Sequence, residues 1–196
     1  MNRSRSRVLA ARSALGGCAS LSQFSFGLNA LDATINNSGT DGRFFSWLGQ
    51  FQWVQALNEK KDILLVARTA AQLTPDSLLP IEQFSVGGID TVRGYRQNQL
   101  VTDNGVLGSL EVRLPVARNP GGLELRPFFD IGTAWNNRGA RPDPNLIASI
   151  GLGLTWAINP SFDVRLDYGV PLISVDNRGS SLQDSGFNFS LRYEPF

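Results

Sequence analysis

Few side chains in this sequence could make or break a covalent bond. There is no histidine among the 196 residues, which excludes histidine triads, histidine general acid–base chemistry and the usual zinc ligand sets. Cys18 is the single cysteine, so neither an intrachain disulfide nor a CxxC motif is possible. Carboxylates, lysine, serine and tyrosine remain. Asp163, Arg165 and Asp167 could be imagined as a carboxylate site. Their strict spacing of two is that of one face of a strand, and it favours a wall lining instead. The expectation is therefore no catalytic residue, no metal and no cofactor. With 18 basic against 17 acidic residues, net +1, no strong field selects nucleic acid.

One arginine stands in an unusual setting, Gly87-Gly88-Ile89-Asp90-Thr91-Val92-Arg93-Gly94-Tyr95. The surrounding residues, 75 to 104, show no sustained alternation, although alternating segments flank them. The three glycines permit positive φ and close backbone approach. A long irregular loop is usually functional or disordered, and Phe84, Val86, Ile89, Val92 and Tyr95 are too apolar for disorder. Val92, Arg93, Gly94 and Tyr95 are the candidate site residues on the loop.

The elements that must position this loop are strands. Twenty glycines against one methionine fit a β-rich chain, and no apolar run approaches the ~18 residues of a membrane helix. Period-2 alternation predicts about eight strands, near 21–35, 43–57, 62–73, 106–116, 123–135, 146–156, 162–172 and 187–193. Most are longer than the ~5–6 residues usual in a soluble sandwich and match the ~9–11 of a membrane-spanning strand. Connections alternate between short (58–61, 117–121, 159–161) and long (36–43, 75–104, 136–145, 174–185), as in outer-membrane barrels. Trp47, Trp135, Trp156, Phe162 and Phe196 fall near strand ends, where interfacial aromatics lie. These features favour a transmembrane barrel over the rival, a soluble β-sandwich binding module. If the apolar set faces lipid, Glu111, Arg113, Glu124, Arg126, Asp130, Asp163, Arg165 and Asp167 line a polar lumen.

The first twenty residues are set apart, and residues 21–196 form the barrel part. Arg3, Arg5 and Arg7 are similar to a signal-peptide start, and Leu15-Gly16-Gly17-Cys18 loosely resembles a lipoprotein cleavage box. Arg12 interrupts the middle where a signal needs ~7–15 apolar residues. Residues 1–20 are expected to be a disordered start or a truncated upstream strand.

Gly88-Ile89-Asp90-Thr91-Val92-Arg93-Gly94-Tyr95 resembles the VRGY/F loop motif of the POTRA-plus-barrel polypeptide transporters of outer membranes. Pro127-Phe128-Phe129-Asp130-Ile131-Gly132 is similar to their companion motif, an inward aspartate on a following strand. Leu78-Leu79-Pro80-Ile81-Glu82-Gln83-Phe84-Ser85-Val86-Gly87-Gly88 and Thr102-Asp103-Asn104-Gly105 look like the haemolysin-activator branch, the two-partner secretion translocators. The resemblance implies an all-β, antiparallel transmembrane barrel in the bacterial outer membrane. It implies that the loop folds back into the lumen, that Arg93 pairs with Asp130, and that an unfolded exoprotein passes through. It also implies outer-membrane lipids as neighbours and barrel-assembly machinery recognising the final strand, which ends in Phe196.

Three departures qualify the resemblance. The family has soluble POTRA domains before its barrel, and roughly sixteen strands, about twice the number read here. The chain is thus expected to be the C-terminal half of a translocator, since open sheet edges cannot face lipid. Pro195 also breaks the alternation just before the terminal Phe196. The sister branch, which inserts barrels into the outer membrane or imports proteins into plastids, shares both central motifs and remains an alternative, as does a non-functional fragment.

Overall fold

The computed structural model describes residues 7–12, 16–27, 44–117, 122–159, 161–176 and 180–194. The strands are β1 (Arg7–Arg12), β2 (Gly16–Gly27), β3 (Phe44–Ala56), β4 (Leu64–Leu73), β5 (Phe84–Val86), β6 (Leu100–Thr102), β7 (Asn104–Ala117), β8 (Leu123–Trp135), β9 (Leu146–Asn159), β10 (Phe162–Pro171) and β11 (Phe187–Tyr193). Nine of them form one sheet in the order β1-β2-β3-β4-β7-β8-β9-β10-β11, and β5 and β6 pair separately. The large sheet is an antiparallel meander. β1 and β11 are its edges among the described residues.

Where the sequence alternates strongly, the strands lie within a few residues of expectation, as in β3, β4 and β7 to β11. β2 (Gly16–Gly27) begins earlier than the expected 21, and residues 28–35 of the expected strand lie outside the described residues. Residues 7–12 and 16–20, set apart as a disordered start or a strand remnant, are strand. The turn cluster at 36–42, the turn residues 118–121, Pro195 and Phe196 lie outside the described residues.

The register sorts side chains cleanly. Arg68 pairs across with Ser109, Ser109 with Asp130, Glu111 with Phe128, Arg126 with Gly153, and Gly153 with Asp167. One face therefore carries every charged residue of β2–β4 and β7–β11: Arg68, Glu111, Arg113, Glu124, Arg126, Asp130, Asp163, Arg165, Asp167 and Arg192. The other face leaves Phe24, Phe51, Trp53, Leu110, Phe129, Ile150, Leu152, Trp156, Leu166 and Phe189 exposed. A continuous apolar face with no charge suits hydrocarbon, not water. Trp47 and Trp135 lie towards the end with long connections, and Trp156 and Phe162 towards the end with short ones.

The long connection between β4 and β7 packs onto the charged face. Phe84, Val86, Val92, Tyr95 and Leu100 from the loop cluster with Leu107 of β7, Ala134 of β8 and Ile147 of β9. Gly132 makes room for this contact. A methyl there would lie 2.6 Å from a Val86 methyl and 3.1 Å from one of Val92. The base of the loop is clamped by polar groups. Asp103 accepts hydrogen bonds from the Leu78 amide (2.8 Å) and the Asn137 amide (2.9 Å), and Asn104 accepts from the Thr74 amide (2.8 Å).

Candidate functional site

A tight turn presents the arginine. Gly87 and Gly88 have φ of 113° and 105°, the Gly88 amide donates to the Val92 carbonyl (3.1 Å), and the Gly87 amide donates to Thr91 Oγ1 (2.8 Å). Val92 is buried in the loop core, which leaves the next side chain directed at the wall. Arg93 donates from Nε to Asp130 Oδ2 at 2.7 Å and from Nη2 to Asp130 Oδ1 at 2.9 Å. Its own backbone amide also donates to Asp130 Oδ2, at 3.1 Å. Nη1 donates to Glu111 Oε2 at 2.7 Å. The guanidinium lies 3.5 Å from the centroid of the Phe128 ring, a cation–π contact. Arg93, Glu111, Asp130 and Asp167 are at most 3% exposed.

Around this centre the wall charges form one network. Ser109 Oγ donates to Asp130 Oδ1 at 2.6 Å. Arg113 pairs with Glu111 at 3.1 Å, Arg126 with Asp167 at 3.2 Å, and Arg165 with Asp167 at 2.5 Å. Arg126 also approaches Glu111 to 3.7 Å, and Arg93 approaches Asp167 to 3.6 Å. A bidentate guanidinium–carboxylate pair fixes orientation as well as energy. Breaking a buried pair by deleting one partner costs about 3–5 kcal/mol, because the survivor stays buried and uncompensated. The arrangement holds the loop against the polar face through buried ion pairs and hydrogen bonds.

Two more loop residues reach the other side of the site. Tyr95 is buried, with its hydroxyl oxygen 2.8 Å from the Ala148 carbonyl and 2.9 Å from the Ile173 carbonyl. Arg96 forms a two-point ion pair with Asp184, from Nε to Oδ1 and from Nη2 to Oδ2 (3.0 Å). Hydrogen bonds from Arg96, and then from Ser181, hold the Asp184 carboxyl well below the usual carboxylate range.

Of the residues singled out in the sequence, Val92, Arg93, Gly94, Tyr95, Asp130, Glu111, Arg113, Arg126, Arg165 and Asp167 come together. Glu124 and Asp163 share the face but lie towards the short-turn end, opposite Thr155 and Arg192, outside the Arg93 network. Sequence reasoning missed the roles of Ser109, Phe128, Gly151, Gly153 and Gly169. Phe128 lies over bare backbone, since a methyl on Gly151 would sit 2.3 Å from its ring. Gly153 leaves space for Asp167 and Arg126 in the same way. The available signal was glycine at inner-face positions of β9 and β10.

An antiparallel all-β sheet with one apolar, uncharged side and a long loop packed on its polar side has the features of an outer-membrane β-barrel wall. The chain belongs to the Omp85 superfamily, whose domain matches residues 23–192. It is 33% identical over 123 residues to the outer membrane protein assembly factor BamA of Nitratidesulfovibrio vulgaris (strain Hildenborough), covering 56% of this chain and 15% of that protein. BamA from Haemophilus ducreyi lacking POTRA domains 1–3 superposes with TM-score 0.67 at 15% identity, over 94% of this chain and 40% of that one. CdiB from Escherichia coli superposes with TM-score 0.70 at 18% identity, over 93% and 34%. The chain thus spans well under half the length of these relatives, and its sheet is part of a β-barrel wall in the bacterial outer membrane.

Proposed function

We propose that this chain is the loop-bearing part of an outer-membrane translocator that secretes a large exoprotein. The observation that carries this reading is the bidentate, fully buried contact of Arg93 with Asp130 and Glu111. It fixes a long loop against the polar face of a barrel wall, where an unfolded chain would pass. Movement of a polypeptide needs a path and a device that holds or frees it, not bond chemistry. The runs Leu78–Gly88 and Thr102–Gly105, through their resemblance to the haemolysin-activator branch, favour secretion. In the structure the second run supplies the Asp103–Asn104 clamp at the base of the loop.

The match to an assembly factor favours a second reading, insertion of other barrels into the membrane. One experiment separates the two. Arg93→Ala and Asp130→Ala are introduced into the full-length protein, and both the exoprotein in the medium and the folded porins in the membrane are measured. Loss of exoprotein with normal porin levels supports secretion. Loss of folded porins supports assembly. Normal levels of both, with the variants inserted in the membrane, would show that the Arg93 contact does not serve transport.

A further inference from the structure

The Arg93 turn is also held by bare backbone. Gly94 and Gly169 meet backbone to backbone. Gly94 has φ of 92°, a conformation that side chains resist. A methyl on Gly94 would lie 2.8 Å from the Gly169 carbonyl oxygen, and a methyl on Gly169 would lie 2.6 Å from the Gly94 amide nitrogen. Gly151, the register partner of Gly169, is covered by the Phe128 ring, and Gly169 leaves a bare notch on the inner face of β10. The turn sits in this notch. Just beyond it, Tyr95 bonds the backbone of Ile173 and Arg96 pairs with Asp184, both in the segment that joins β10 to β11.

We propose that Gly169 and Asp184 are positioning residues for Arg93: the notch sets how deeply the turn sits, and the Arg96–Asp184 pair sets its orientation. The distances make this specific. A methyl 2.6 Å from a nitrogen must move off by about 1 Å to reach ordinary contact. The Arg93 amide donates to Asp130 at 3.1 Å, so a shift of that size takes it beyond hydrogen-bonding range. Gly169 therefore acts on the Arg93 side chain through the turn backbone packed on it, where a methyl would also lie 2.8 Å from the Arg93 carbonyl carbon. Asp184 acts through Arg96, three residues along the same turn.

The test is hydrogen exchange of the peptide containing Val92–Tyr95, measured by mass spectrometry on the full-length protein in outer-membrane vesicles. Gly169→Ala is expected to speed exchange there about tenfold or more, and Asp184→Asn by a smaller factor. Gly108→Ala is the control, because a methyl there meets only Ile131 at 3.8 Å, and it should change nothing in this peptide. In an Arg93→Ala background, Gly169→Ala should add nothing further, whereas simple weakening of the sheet would add its full effect. Wild-type exchange in Gly169→Ala, or full additivity with Arg93→Ala, overturns the proposal. If Gly169→Ala does not insert, Asp184→Asn decides alone, and wild-type exchange in that variant is equally fatal. The inference rests on Arg93 as the residue that holds the loop. Exchange reads docking and secretion reads transport, so the two readings fail separately.

Discussion

Replacing Asp130 by asparagine keeps the shape of the side chain and removes its charge. The structure sets the size of the effect. Asp130 accepts three hydrogen bonds from Arg93, at 2.7, 2.9 and 3.1 Å, while Glu111 accepts one at 2.7 Å. Hydrogen bonds to a charged partner contribute about 1.5–3 kcal/mol each, and deletion of one member of a buried pair costs about 3–5 kcal/mol. Asparagine retains one acceptor oxygen and Glu111 stays in place, so the lower end applies, about 3 kcal/mol. That corresponds to about two decades in the opening equilibrium of the loop. The Arg93 amide is itself one of the donors to Asp130, so its own exchange reports the contact directly. In Asp130→Asn it should exchange about 100-fold faster, with amides of β4 unchanged. A change of less than about threefold at Arg93 would refute the claim that this carboxylate holds the loop.

Three further outcomes follow from the same geometry. Tyr95→Phe removes the hydroxyl lodged between Ala148 and Ile173, and should weaken loop docking by about 1–3 kcal/mol, read as faster exchange in residues 172–176. The Asp184 carboxyl titrates below its ordinary value, so its contribution is complete above about pH 4 and is lost as pH falls through the depressed value. Protection of residues 180–186 should therefore stay flat from neutral pH to about pH 5 and fall only in stronger acid, and loss already near pH 6 would contradict the ion pair. Leu152→Arg puts a charge on the lipid face and should destabilise the barrel in lipid by up to about 2–4 kcal/mol, measured by denaturant unfolding in vesicles. Thr155→Arg on the polar face should cost much less.

The strands that read most clearly in the sequence are those whose two faces differ most. In β8 and β10 one alternate set is mainly large and apolar and the other carries three charges, so boundaries and facing follow from period 2 alone. That alternation also places Asp130, Arg126 and Asp167 on one side. β5 and β6 have three residues each, too few for any period to register. In β2 the stretch Gly16–Ser20 lacks the large apolar residues that mark a strand, so its start was read too late. The partners of Arg93 were harder to see. Phe128 looks like any strand aromatic until register puts it over Gly151, and Arg96 and Asp184 are 88 positions apart, with no periodicity linking them.

The charges of the wall have a consequence for whatever travels along it. Without the loop, the inner face of β2–β4 and β7–β11 carries Arg68, Arg113, Arg126, Arg165 and Arg192 against Glu111, Glu124, Asp130, Asp163 and Asp167, an equal number of each sign. Arg93 is thus a surplus cation brought in by the loop. Without it the surface is formally neutral, and Arg113 and Arg126 already neighbour the Glu111 that Arg93 contacts. A strongly charged wall would trap segments of opposite sign and repel those of like sign. A balanced one does neither, so if the chain serves the proposed translocation, acidic and basic stretches of the same unfolded cargo would slide past it with similar ease.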